Sequence, residues 1–325
     1  MSFEEILGQE HVVRFLRSAI RENRLAHAYL FIGPPGVGKT QTAVSFAGQF
    51  LCQSSQTGQA CGQCPSCVKV QKRAHPDLLW LAPEGQFIKI DAIREACRRL
   101  SLKGFESSRK ILVVSDAEAL HEESSNALLK TLEEPTPETV LILLATTLEN
   151  ILPTIASRCQ KVFFSSLSQE HLEKILKEKY HQKGQALTYF VRIAQGSPGV
   201  AGHLVAGRLF ERKNSLIDAA LDSKLALSQF LSAMTRREDA PDEEADELLL
   251  VLSTWFRDLL LAKFSSEIRF LINADRAAEI QALAGDFSVA ELEERLSAIA
   301  DVAVGLEHNA NRRIALGYLR GVLWK

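Results

Sequence analysis

Residues 28–40 read AYLFIGPPGVGKT. The first five are a short, continuous apolar run, the pattern of a strand buried on both faces. GPPGVGKT, at 33–40, fills every fixed place of G-x-x-x-x-G-K-[ST]. A strand pattern precedes it and a helical pattern, TQTAVSFAGQFLC, follows it, which is the context such a loop requires. Gly33, Gly36 and Gly38 let the backbone curl so that its N–H groups face phosphate oxygens. The start of the following helix adds positive potential. Lys39 is then expected to reach the β- and γ-phosphates, and Thr40 to ligate magnesium. The competing reading is a loop of the same shape that holds no ligand.

Working outward, residues 10–24 have helical apolar spacing at Val12, Phe15, Leu16 and Ile20. Four more strand candidates follow the loop: 77–82, 110–115, 139–146 and 161–167. Helical patterns lie between them, so the expectation is a five-stranded parallel sheet with helices on its faces. After residue 167 only helical patterns occur. The predicted organisation is a nucleotide-binding α/β domain over 1–167, a small helical lid over 168–207 and an all-helical domain over 208–325. The charged stretch TRREDAPDEEADE at 235–247 reads as an interhelix segment, with Pro241 near a helix start.

The chain has 325 residues, 46% hydrophobic and 24% charged, a globular composition. Its formal net charge of -2 excludes a global positive field for nucleic acid, leaving only local patches. One such patch is the helix at 90–104, where Arg94, Arg98, Arg99 and Lys103 lie away from Ile93, Cys97 and Leu100. A solvated helix face is favoured there over a DNA contact. The most apolar run, 248–264, carries Arg257 and Asp258 at its middle, which suits a buried helix and not a membrane span. MSFEEILGQE has no basic or apolar leader pattern, so a cytoplasmic location is expected.

The strand candidate at 110–115 ends on Ser115, followed by Asp116. An ATP-hydrolysing P-loop protein normally offers magnesium an acid at the first place, and often a second acid to activate water. Ser115 has no carboxylate to offer. The expectation is slow hydrolysis, with nucleotide and magnesium binding still open through Lys39, Thr40 and Asp116.

Cys52, Cys61, Cys64 and Cys67 are spaced C-x8-C-x2-C-x2-C. In a chain of this size and redox class such a cluster suggests metal before disulfides. Four thiolates close a tetrahedral shell with no place for water, so the expected ion is a structural zinc. Cys97, on a helix with Ile93 and Leu100, reads as a core residue.

FEEILGQE, HAYLFIGPPGVGKT, the four-cysteine insertion, NALLKTLEEP (126–135), LLATTLENILPTIASRC (143–159) and HNANRRIAL (308–316) together resemble the bacterial clamp loader AAA+ subunits. The resemblance spans nearly the whole chain. It implies an AAA+ P-loop domain, a helical lid and a helical collar. It implies a hetero-pentamer with gamma/tau and delta subunits, acting on primer–template DNA, with the sliding clamp as a further possible partner. By the same resemblance Arg158, in Ser157-Arg158-Cys159, is an arginine finger entering the neighbour's nucleotide site, and Thr147 stands at the strand end where the γ-phosphate is sensed. Two departures from the family's gamma/tau motors stand out. Ser115-Asp116 replaces Asp-Glu, and Gly199, after Gly196-Ser197-Pro198, stands where the motors carry a phosphate-contacting Arg. The departures imply a stator that gives little or no hydrolysis of its own and serves its neighbour. The alternative is a motor in which Asp116 supplies the missing carboxylate. Glu133 and Glu134 close NALLKTLEEP, and no spacing argument makes either a metal ligand.

Overall fold

The computed structural model describes residues 3–54, 59–222 and 241–323. Two compact units divide the chain: Met1–Leu172 with Gly196–Gly199, and Glu173–Gln195 with Val200–Lys325.

The first unit is built on five parallel strands: β1 (Ala28–Ile32), β2 (Leu78–Leu81), β3 (Lys110–Val114), β4 (Thr139–Ala145) and β5 (Gln160–Phe163). Their spatial order is β2-β3-β4-β1-β5, with Leu30 opposite Leu143 on one side and Lys161 on the other. Strands β1, β3 and β4 are buried along their whole length. Alternate side chains feed two separate cores. Tyr29, Phe31, Ile111, Val113, Ile142 and Leu144 face one. It is covered by α1 (Glu10–Arg21) and α2 (Lys39–Leu51), through Val12, Leu16, Phe46 and Phe50. Leu30, Ile32, Leu112, Val114, Leu141 and Leu143 face the other. Its cover is α4 (Ile90–Ser101), α5 (Glu122–Glu133) and α6 (Pro153–Ala156), through Ile93, Leu100, Leu128, Leu132 and Ile155. Both faces being covered is why these strands read as unbroken apolar runs. The short α3 (Pro65–Gln71) lies between α2 and β2.

Strand β5 stops at Phe163, short of the 161–167 read from the sequence. Ser165 leaves the ladder to pair with the buried Gln9. The Gln9 Nε2 donates to the Ser165 carbonyl at 2.6 Å, and the Ser165 amide donates back to Oε1 at 3.4 Å.

The second unit is helical throughout its described residues. Helices α7 (Gln169–Tyr180), α8 (Gly184–Ile193), α9 (Pro198–Ala206) and α10 (Leu209–Leu221) are followed by α11 (Pro241–Phe264), α12 (Ala277–Leu283), α13 (Val289–Glu307) and α14 (Arg312–Leu323). The charged segment at 235–247 is helical from Pro241 on, and 235–240 lie outside the described residues. The apolar run at 248–264 is a buried helix as expected, with Trp255, Leu252 and Leu259 fully covered. Its buried Asp258 pairs with Arg257 at 2.7 Å and accepts from the Ile272 and Asn273 amides at 3.1 and 2.7 Å. Lys213, also fully buried, pairs with Asp275 at 2.8 Å. No helix among the described residues is long and apolar enough to cross a membrane.

Candidate functional site

The phosphate loop joins β1 to α2 at the carboxyl edge of the sheet, where ligands of open α/β sheets sit. Gly36 and Gly38 have φ of +72° and +108°, and Gly33 has +154°, conformations that favour glycine. A β-carbon on Gly33 would lie 2.4 Å from the Phe164 carbonyl oxygen. Gln9, which the sequence reading passed over, reaches the same loop: its Nε2 also donates to the Val37 carbonyl at 3.4 Å.

Lys39 is folded back on its own loop. Its ammonium donates to the carbonyls of Gly33 and, at 2.8 Å, of Pro34. Burial pushes its pKa down, while the charges of Glu118 and Asp116 pull it up. Thr40 is exposed beside it. The segment that carries Gly196–Gly199 lies across the loop. Ser197 Oγ donates to the Pro35 carbonyl at 2.8 Å, and the Gly199 amide donates to the Gly36 carbonyl at 2.9 Å. A β-carbon on Gly199 would stand 2.6 Å from the Gly36 Cα. No side chain fits there unless backbone moves. Helix α9 starts at Pro198, the helix position that tolerates proline best.

The neighbouring strand end presents, besides Asp116, an acid that the sequence reading did not name. Ser115 is turned away from the loop: its Oγ and its amide both donate to the Leu81 carbonyl on β2, each at 2.9 Å. Asp116 is exposed, in a left-handed conformation at φ +51°. Glu118, two residues on, reaches the end of β4. Its Oε1 accepts from the Thr146 hydroxyl at 2.5 Å and from the Thr146 amide. Thr146 is therefore the engaged threonine, and Thr147 is exposed.

Arg158 follows α6. Its guanidinium contacts Glu133 Oε1 at 2.7 Å and the Thr154 carbonyl at 3.0 Å. Its side chain is still 36% exposed. Cys159 beside it is mostly covered, and burial pushes its thiol up to about 12, a packing role.

Away from this edge, the thiols of Cys52, Cys61, Cys64 and Cys67 all lie within 4.8 Å of one another. The Cys52–Cys64 and Cys61–Cys67 sulfurs are each 4.0 Å apart. Four sulfurs about 2.3 Å from a common centre would stand roughly 3.8 Å apart, so the set fits one tetrahedral ion and no disulfide. Backbone amides of Cys61, Cys64 and Cys67 donate to the sulfurs of Cys52, Cys61 and Cys64 at 3.3–3.4 Å. Such donors favour thiolate, and backbone hydrogen bonding holds the Cys61 thiol down at about 6. Burial acts the other way on Cys67, pushing it up to about 12. Gly62 turns the first C-x2-C at φ +73°, and Pro65 opens α3 in the second.

The basic face of α4 is largely paired within itself. Arg98 bonds Glu95 at 2.7 Å, Arg94 lies 3.9 Å from Asp91, and Arg99 donates to the Pro76 carbonyl at 3.0 Å. A solvated face accounts for it.

The fold and the loop define a P-loop domain of the AAA+ class joined to a helical remainder. The family profile described as DNA polymerase III, delta subunit, matches residues 8–168, and the profile for its C-terminal part matches 209–319. Subunit delta' of DNA polymerase III from Pseudomonas aeruginosa is 32% identical over 239 residues, 73% of this chain and 71% of that protein. Its counterpart in Bacillus subtilis is 35% identical over 171 residues, 53% of this chain and 52% of that protein. The tau/gamma subunit of Haemophilus influenzae is 37% identical over 202 residues, 60% of this chain but only 29% of that longer protein. The chain belongs to the delta-prime family of DNA polymerase III, among the clamp loader proteins.

Proposed function

We propose that this chain is the stator of a bacterial clamp loader, giving little or no ATP hydrolysis of its own and presenting Arg158 to the nucleotide site of a neighbouring ATPase subunit. The observation that carries the reading is Ser115. The place that should give magnesium a carboxylate holds a hydroxyl bonded to Leu81 instead. Charge stabilisation of the transferring phosphoryl group is the main device of such sites, so its loss removes most of the turnover. The tied loop agrees with this, because Lys39 must leave two carbonyls before it meets a phosphate. Arg158, by contrast, is ordered at an exposed edge. A planar guanidinium offered in trans raises phosphoryl-transfer rates by large factors.

Under this reading Gly33, Gly36, Gly38, Lys39, Thr40, Asp116 and Thr147 form a nucleotide site that binds without efficient turnover. The cysteine tetrad holds a structural zinc. Residues 1–167 form the nucleotide domain, 168–207 the lid, and 208–325 the collar of a hetero-pentamer with gamma/tau and delta subunits. Exposed Ile314 and Tyr318, one turn apart on α14, supply apolar surface for that collar. Primer–template DNA and the sliding clamp are the ligands of the assembly, and the cytoplasm is its place.

A second reading, a motor that hydrolyses ATP, is favoured by Glu118 and Asp116, whose charges both reach Lys39. The deciding experiment is DNA- and clamp-stimulated ATP turnover in a reconstituted loader, with Lys39→Ala or Arg158→Ala in this chain. A stator loses turnover only with Arg158→Ala. Equal loss with Lys39→Ala supports the motor.

A further inference from the structure

Helix α5 ends in two acids, Glu133 and Glu134. Acids at a helix C-terminus face the negative end of the helix dipole, an unfavourable placement without a compensating cation. Glu133 has that cation from elsewhere in the chain. Arg158 lies 2.7 Å from its Oε1.

The two side chains rest on a shared base. Leu128 and Leu132 bury the inner face of α5, and Ile155 and Ala156 bury that of α6, all in one core. Glu133 and Arg158 each emerge beside these anchors. One guanidinium nitrogen is taken by Glu133, and the other by the Thr154 carbonyl at 3.0 Å, with Ser157 Oγ at 3.5 Å. Nε has no hydrogen-bond partner among the described residues. The planar fork is therefore fixed in direction with one edge still open, the state in which a bidentate phosphate contact costs least further ordering.

We propose that Glu133 is a positioning residue, which aims the Arg158 guanidinium outward toward the phosphates of a neighbouring subunit. The inference rests on the reading of Arg158 as a finger acting in trans. NALLKTLEEP thereby gains a role besides packing: its leucines anchor the helix and its first terminal acid aligns the finger. Glu133 touches no nucleotide in this scheme, and its effect passes through Arg158 alone.

The test is a double-mutant cycle in the reconstituted loader, reading DNA-stimulated turnover with Glu133→Ala, Arg158→Ala and both together. Glu133→Ala is expected to lower kcat by roughly threefold to tenfold with KM for ATP unchanged, because only transition-state alignment is lost. In the Arg158→Ala background Glu133→Ala should cost nothing more. Glu133→Gln, which keeps an acceptor oxygen, should recover part of the loss. The pair is half exposed, at 36% and 52%, so thermal unfolding of the free subunit should barely move. A kcat at or above wild type with Glu133→Ala, or losses that multiply in the double variant, would overturn the positioning role and leave the finger standing. Wild-type turnover with Arg158→Ala would overturn the finger, and the inference with it.

Discussion

The amide of Gly199 donates to the carbonyl of Gly36 across 2.9 Å, with space at Gly199 for a hydrogen atom and nothing larger. A loop built to wrap phosphates is thus bonded through its backbone to the segment beside it. Ser197 adds a second tie, to Pro35.

Under the proposed nucleotide-binding reading, those ties compete with nucleotide. Ser197→Ala removes the hydrogen bond to the Pro35 carbonyl without adding bulk, and such a bond is worth about 0.5–1.5 kcal/mol net. Titration with a fluorescent ADP analogue should therefore show binding roughly twofold to tenfold tighter than wild type. Weaker or unchanged binding would mean that the ties do not restrain the loop.

Ser115→Asp restores the carboxylate but not the free loop. The new side chain cannot donate to the Leu81 carbonyl, as the hydroxyl does, and must turn elsewhere. Turnover by the isolated chain is expected to stay within about tenfold of wild type, and to rise further only when Ser197→Ala is combined with it. A large gain from Ser115→Asp alone would show that the ties are irrelevant to hydrolysis.

The cysteine tetrad should carry about one zinc per chain by elemental analysis. Less than about half an equivalent would sink the structural-metal reading. Replacing Cys64, whose sulfur lies 4.0 Å from that of Cys52, should release the ion and lower the unfolding temperature, since ion binding is coupled to folding.

His75 gives a pH test. Its side chain is buried and its Nδ1 accepts the Asp77 amide at 3.1 Å, so the neutral ring is the form that fits. Burial lowers its pKa from 6.5, against the pull of Asp77 and Glu106. Below pH 6.5 the unfolded chain then binds more protons than the folded one, and stability falls as pH drops toward the lowered native value. His75→Asn keeps an acceptor for Asp77 but takes no proton. Denaturant unfolding from pH 7 to pH 5 should show a shallower decline in that variant.

Much of this was legible in the residues. Strands β1, β3 and β4 announced themselves, because burial on both faces leaves no polar break in runs such as KILVV and TVLILLA. The phosphate loop and the cysteine tetrad were readable because each is set by short spacings along the chain. What escaped were side chains whose partners lie far off in sequence. Gln9 meets Ser165, Glu118 meets Thr146, and Glu133 meets Arg158. None leaves a periodic trace, and an isolated Gln or Glu gives no sign of the carbonyl or guanidinium it will find. The same blindness misplaced the end of β5, which Gln9 cuts short by taking Ser165.

The strand order has a consequence for the growing polypeptide. β1 lies at 28–32, yet both strands that flank it, β4 and β5, are encoded at 139–145 and 160–163. A ribosome releases the phosphate loop early and its flanking strands late. During that interval AYLFI is an apolar segment with both hydrogen-bonding edges bare, the kind of stretch that holdase chaperones cover and that aggregates when they do not. The order in which the chain is made therefore leaves the strand before the phosphate loop without either pairing partner until β4 and β5 have been synthesised.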